Sequence, residues 1–302
     1  MAAQDSNVVV GFGEALWDML PDGKKIGGAP ANFAYHVGQW GLNSCAVSAI
    51  GPDKLGEEII ENFEAKKLNF LLEQVDYPTG TVIVTLDDNG SPQYDIKEGV
   101  AWDNIPDTPR MMELAARTRA ISFGSLAQRS PISRLTLHKF IDALPADKKP
   151  YIVFDVNLRQ SFYNKEILDE SFSRCNVAKI NDEELIVVSR MFGYPGIDLH
   201  DKCWLISGKY NLDILILTCG INGSYIFSRG HTSFLPTPKV DVVDTVGAGD
   251  SFSAVFMASI LNGCSIEEAH QNAVIVSAYV CTQPGAMPSI PPQIREQIIM
   301  PA

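Results

Sequence analysis

Short apolar runs recur along this chain, and helix-patterned stretches separate them; that alternation is the tightest constraint on its fold. NVVVGFG (7–13), NSCAVSAIG (43–51), RAISFG (119–124), YIVFDVN (151–157), NVAKIN (176–181) and DILILTCG (213–220) read as strands. PANFAYHVGQWG (30–41), LGEEIIENFEAKK (55–67), SRLTLHKFIDAL (133–144) and DEELIVVSRMFG (182–193) read as helices. Pro30 suits a first helical turn and Gly41 a helix end. Strands and helices in this order predict parallel strands with crossover helices, a layered α/β domain. One region departs from the pattern. TGTVIVTLDDNGSPQYDIKEG (79–99) alternates with period two on both sides of Asp88-Asn89-Gly90. Asn-Gly between two such runs is a hairpin signal, no helix is expected before Pro106, and the segment reads as a flap, a lid or a dimer-forming sheet. No repeat or linker divides the 302 residues, which read as one domain.

The balance of charge narrows the partners. Twenty-four Lys and Arg against 36 Asp and Glu leave a net charge of −12, and no basic block appears. Nucleic acid and an anionic membrane are therefore not expected as partners. An anionic small molecule remains open, through backbone N–H groups, a metal ion or a few basic side chains. The six cysteines form no CxxC pair and are too sparse for a disulfide framework. With no signal-like start and no membrane-length apolar stretch, a reducing cytoplasm is the expected compartment.

The chemistry concentrates at strand-to-helix junctions. DTVGAGDSFSAV (244–255) places Gly247, Ala248 and Gly249 before Asp250, with VDVVDT (240–245) as a candidate strand and a helical apolar spacing behind. The first N–H groups of a helix lack internal partners and carry partial positive charge. Small residues let a phosphate approach them. Asp250 is then either a catalytic base beside an anion pocket or an ionised first-turn carboxylate. GFGEAL (11–16) has Leu16 where a dinucleotide fingerprint needs its third glycine, and no GxxxxGK[ST] exists. Asp18 in LWDML and Asn32 in GGAPAN (27–32) are an acid and an amide on neighbouring loops, suited to vicinal hydroxyls; a turn residue and a helix cap are the plainer alternatives. NDEE (181–184) sets Asn181 and Glu184 at i and i+3, able to orient hydrated Mg²⁺, although ordinary N-capping is favoured. LTCGINGS (217–224) offers Thr218, Gly220 and Gly223 in a turn open to phosphate, or a simple β-turn. DVNLR (155–159) ends a strand with Arg159, which by itself could equally be a solvated charge.

Taken in order, these stretches resemble the ribokinase-like (PfkB) carbohydrate kinase family. GGAPANFAYHVGQWG is similar to its N-terminal signature and DTVGAGDSFSAV to its C-terminal one. KINDEE, LTCGINGS and DVNLR are similar to its NxxE element, its phosphate turn and its D-x-N-x-R strand end. Within the family the N-terminal stretch is most similar to bacterial fructokinases. The resemblance implies a three-layer αβα sandwich with a mostly parallel sheet over residues 1–302 and a β-sheet lid from about 12–28 and 79–104. It implies ATP-dependent phosphorylation of a free sugar, D-fructose first. 2-Keto-3-deoxygluconate, ribose or a nucleoside are the other acceptors, and a non-catalytic sensor the other class. It makes Asp250 the base and residues 247–249 the anion hole. Asp18, Gly28, Asn32 and Arg159 fall to the sugar, Asn181 and Glu184 to Mg²⁺ and phosphate, Thr218, Gly220 and Gly223 to the nucleotide phosphates, and Asn272 to the adenine. Gly285 and Ser289 in CTQPGAMPS (281–289), together with Asp244, mark a monovalent-cation loop for K⁺, and the lid marks a route to a homodimer. Val255 departs from the signature, which has Ala or Gly there, and puts close helix packing in question.

Overall fold

A computed structural model describes residues 7–20, 23–86 and 92–300. The body is a nine-stranded sheet of β1 (Val8–Phe12), β4 (Asn43–Ile50), β5 (Asn69–Gln74), β8 (Thr118–Gly124), β9 (Tyr151–Asp155), β10 (Val177–Asn181), β11 (Ile214–Thr218), β12 (Ser224–Ser228) and β13 (His231–Leu235). Their order is β13-β12-β11-β10-β9-β8-β1-β4-β5. All neighbours from β11 to β5 are parallel, and β12 and β13 add an antiparallel edge. Strands buried on both faces need apolar residues at every position, which is why they read as continuous apolar runs. Alternation along β1 sorts them: Val8, Val10 and Phe12 join one core cluster and Val9 the other.

Helices cover both faces. α3 (Pro109–Ala115), α4 (Pro131–Asp142), α5 (Lys165–Arg174), α6 (Asp182–Phe192) and α7 (Leu199–Tyr210) supply Met111, Phe140, Phe172, Val188 and Ile206 to the first cluster. α1 (Ala29–Gly38), α8 (Ala248–Leu261) and α9 (Ile266–Cys281) supply Phe33, Phe256 and Ala273 to the second. α2 (Lys54–Ala65) buries Ile59 and Phe63 against α1 and β4, and α10 (Pro292–Arg295) is one turn near the C-terminus. Val255 is fully buried against Val276, Val280 and Ile290, so α8 and α9 pack around it rather than being held apart.

A second sheet stands off the body. β2 (Leu16–Leu20), β3 (Gly23–Gly27), β6 (Gly80–Leu86) and β7 (Pro92–Ile96) pair in the order β3-β2-β6-β7. β6 and β7 are antiparallel with Leu86 opposite Pro92, while β2 and β6 run parallel. The Asp88-Asn89-Gly90 turn lies outside the described residues. A 3₁₀ turn at Ala101–Asn104, where no helix was expected, buries Trp102 under Gly80.

VDVVDT is not a strand. Residues 236–245 run irregularly, with Val242 and Val243 61% and 64% exposed; Val243 and Asp244 donate their N–H groups only to the Cys281 carbonyl. β-Branched residues without a sheet edge beside them remain loop. The glycine turn therefore joins a loop, not a strand, to α8. Among the described residues no helix is long and apolar enough to cross a membrane.

Candidate active site

The sheet's carboxyl ends, where the chain's path reverses around β1, are where open α/β sheets bind ligands. A cleft of about 1200 Å³ lies there, lined at one end by Asp18, Asn32 and Val82 and at the other by Thr218, Gly223 and Val242. That volume exceeds what one small ligand needs (about 300–1,000 Å³) and leaves room for two side by side.

Asp250 stands between the two ends, in the first turn of α8. Gly247 caps that helix in the left-handed region (φ 77°), and a Cβ there would lie 2.6 Å from the Ala286 Cβ. Only glycine satisfies both the dihedral and the space. Ala248 and Gly249 also line the cleft. The Asp250 carboxylate accepts a 2.7 Å hydrogen bond from Asn32 Nδ2. Burial raises its proton affinity; the Asn32 amide and the charges of Lys179 and Arg159 pull the other way. A first-turn position thus does not simply leave this acid ionised. It is a carboxylate whose basicity is lifted while one oxygen is held in place, as a general base requires.

Asn32 does not cap a helix. It lies inside the first turn of α1, whose cap is Gly28 (φ 117°), and a Cβ on Gly28 would meet the Glu14 carbonyl oxygen at 2.2 Å. Asp18 is no turn residue either: it sits in mid-strand in β2, opposite Lys25 and Val82. Burial pushes its carboxyl up to about 6, with Arg159 opposing. Arg159 is exposed at the rim, its guanidinium donating to the Leu158 carbonyl.

Asn181 and Glu184 form a closed capping box on α6. Asn181 Oδ1 accepts the Glu184 N–H at 2.7 Å, and Glu184 Oε2 accepts the Asn181 N–H at 2.9 Å. Glu184 Oε1 accepts the Leu158 N–H at 2.9 Å, which ties α6 to the Arg159 loop. The favoured capping role is present, and both residues also line the cleft. Thr218 ends β11, and Gly220 and Gly223 follow with φ of 52° and 105°, all three on the cleft wall.

Asn272 does not reach the cleft. It is fully buried, donating to Ser259 and the Ile299 carbonyl and accepting the Ile299 N–H. It anchors the C-terminal segment, and α9 instead offers Val274, Ser277 and Ala278 to the cleft. At the expected cation loop, Asp244 accepts from the N–H groups of Val246 and Gly285 and faces Lys25 Nζ at 3.4 Å. Gly285 therefore contributes a donor there, and the Ser289 carbonyl accepts from Tyr279.

Two site residues were missed in the sequence. Lys179 is 7% exposed in β10 and donates to Asp155 Oδ1 at 3.1 Å; a Cβ on Gly249 would lie 2.9 Å from its ammonium. A positive charge thus lies directly beneath the anion turn. Burial disfavours that charge, but Asp155, Glu184 and Asp250 surround the ammonium and hold its proton. A lysine inside the apolar run NVAKIN was the available signal, because unpaired lysines are almost never buried. Glu14 follows β1 and is 3% exposed on the cleft floor; its signal, an acid at a strand end within GFGEAL, was absorbed by the failed dinucleotide pattern.

A two-ligand cleft with a basic carboxylate beside a glycine turn and a buried cation defines a small-molecule kinase. The chain belongs to the pfkB family of carbohydrate kinases, whose sequence profile matches residues 22–293. It is 28% identical to a fructokinase of Salmonella typhimurium, covering 93% of this chain and 95% of that protein. It is 26% identical to the ATP-dependent 6-phosphofructokinase of Thermoanaerobacterium thermosaccharolyticum, over 94% and 90% of the two chains. Among solved structures, it is similar to a sugar kinase of Pyrococcus horikoshii in complex with ATP. That match has a TM-score of 0.78 and 25% identity and covers 97% of this chain and all of that one. The fold is ribokinase-like and the protein is a carbohydrate kinase.

Proposed function

We propose that the protein transfers the γ-phosphoryl group of ATP to a primary hydroxyl of a free sugar, with D-fructose as the preferred acceptor. The observation that carries this reading is the Asp250 carboxylate, fixed by Asn32 at 2.7 Å at the mouth of α8. Asp250 takes the proton of the sugar hydroxyl as its oxygen attacks the γ-phosphorus and ADP leaves. Asp18, Gly28 and Asn32 hold the sugar beneath the four-stranded sheet, which acts as a lid and excludes water as a rival acceptor. The N–H groups of residues 247–250, with Lys179 below, stabilise charge spreading over the phosphoryl oxygens. Thr218, Gly220 and Gly223 receive the remaining phosphates, and Val242 and Ala278 border the base.

Asn181 and Glu184, with the neighbouring acids Asp182 and Glu183, line the cleft and together offer the amide and carboxylate oxygens that suit hydrated Mg²⁺. When bound, Mg²⁺ neutralises the β- and γ-phosphate oxygens. A monovalent cation at Asp244 belongs to the same reading and would compete with the Lys25 ammonium for that carboxylate. Association of two lids into a homodimer and a cytoplasmic location, where the six free cysteines stay reduced, complete it.

A sugar that already carries a phosphate suits the site less well, because the acids Glu14 and Asp18 line the cleft. ADP release measured over fructose, ribose, 2-keto-3-deoxygluconate, a nucleoside and fructose 6-phosphate, with ATP and Mg²⁺, tests the assignment. The highest kcat/KM should fall on fructose. Fructose 6-phosphate as the best acceptor overturns the free-sugar reading, and sugar-independent ATP hydrolysis alone overturns the kinase mechanism.

A further inference from the structure

Two buried oxygens on the cleft floor find no hydrogen-bond donor among the described residues. They are Glu14 Oε2 and Asn32 Oδ1. Glu14 and Asn32 are each 3% exposed, and both line the cleft beside Asp250. The other half of each group has its own environment. Asn32 Nδ2 is committed to Asp250, and the Glu14 carboxyl lies against its own N–H and that of Ala29. Buried acceptors without donors are uncommon, and each calls for a reason. These two share a ligand cleft, so the missing donor is one that a ligand brings.

We propose that Glu14 is a further specificity residue for the acceptor sugar, its Oε2 acting with Asn32 Oδ1 to accept hydrogen bonds from hydroxyls adjacent to the one that Asp250 deprotonates. This rests on the sugar-kinase reading above. The ligand class follows from the donor count. A polyol brings several O–H donors to a floor that offers acceptors, whereas a carboxylate or phosphate brings none. The charged groups facing Glu14 are Asp250 from α8 and Arg159 from the loop after β9. Burial and Asp250 push the Glu14 carboxyl up to about 7, with Arg159 opposing. A hydroxyl donated to Oε2 stabilises the ionised form and so relieves part of that burial cost on sugar binding.

The test compares wild type with Glu14→Gln, which keeps shape and removes the carboxylate. Fructose and its monodeoxy analogues are the acceptors, and the melting temperature is measured on the same preparations. A charge-assisted bond to a buried acceptor is worth roughly ten- to hundred-fold in affinity. Glu14→Gln should raise the fructose KM by about that factor and leave the ATP KM within about twofold. Wild type should lose affinity for at least one monodeoxy analogue, and Glu14→Gln should no longer distinguish that analogue from fructose. An unchanged fructose KM overturns the proposal. So does an equal rise in both KM values with the deoxy penalties intact, which would mark Glu14 as a brace for α1. Wild type inactive on every sugar overturns the kinase reading and this proposal together; wild type active with deoxy penalties equal in both proteins overturns this proposal alone.

Discussion

Replacing Lys179 by methionine should unfold part of the protein's margin of stability and, separately, slow the reaction. Lys179 and Asp155 are 7% and 6% exposed and 3.1 Å apart. Without the ammonium, Asp155 is a buried carboxylate that must either remain charged or take a proton. Removing one partner of a buried pair costs about 3–5 kcal/mol. Protonation caps that cost: holding a proton on an acid of pKa 3.8 at pH 7 costs about 1.36 × (7 − 3.8) ≈ 4.4 kcal/mol. The loss should thus be about 3–4 kcal/mol at pH 7. In the variant the folded pKa of Asp155 rises further, so the penalty is absent below the unfolded pKa and grows as pH rises. At pH 5 it should be no more than about 1.6 kcal/mol. For a chain of this size roughly 2 °C accompanies each kcal/mol, so the melting temperature should fall by about 6–8 °C at pH 7 and about 3 °C at pH 5. Asp155→Asn combined with Lys179→Met removes the stranded charge and should restore most of the stability. It should not restore turnover, which loses roughly 10²-fold with the cation under the anion turn. Thermal melts at both pH values, alongside kcat for the single and double variants, decide the matter. A double variant that regains both stability and rate would show that Lys179 only balances Asp155.

Three further outcomes follow from the same geometry. Asp18→Ala should raise the sugar KM by roughly 10- to 100-fold and lower kcat, with the ATP KM nearly unchanged, because a loosely held sugar presents its hydroxyl poorly to Asp250; a stable variant with normal sugar KM removes Asp18 from the site. His270 is buried between the hydroxyls of Ser224 and Ser233, and burial lowers its pKa to about 4. The unfolded chain takes up that proton below about pH 6.5, so His270 costs stability as pH falls from 6.5 to 4, and His270→Gln should show a shallower acid loss of melting temperature than wild type; equal slopes would contradict this. If a monovalent cation acts at Asp244, kcat in K⁺ should exceed that in tetramethylammonium at equal ionic strength, and equal rates remove the ion from the account.

The parts legible in the sequence are those where local chemistry and tertiary structure ask for the same residues. Continuous apolar runs marked six of the seven parallel strands because both their faces are covered; the edge strand β5, only half-buried, was not read. The glycine turn before Asp250 was visible because its backbone conformation and its packing against Ala286 each exclude a side chain. Contacts across the fold were not visible. Nothing in NVAKIN says that Lys179 meets Asp155 from β9, or that its ammonium lies under Gly249. VDVVDT has strand composition without a strand neighbour, and Asn272 has a ligand-like side chain that the C-terminal segment occupies first. β2 and β3 were implied only by the resemblance, since LWDML and GKKIG carry too little alternation to be read as strands.

The central claim is that Asp250 removes the proton of the acceptor hydroxyl. Asp250→Asn keeps the side chain's shape and its contact distance to Asn32 while removing the base. With fructose and ATP-Mg²⁺, kcat should fall by roughly 10²–10⁴-fold, and ATP affinity measured by direct titration should change little. An Asp250→Asn enzyme that turns over near the wild-type rate would contradict the account and leave Asp250 as a first-turn carboxylate.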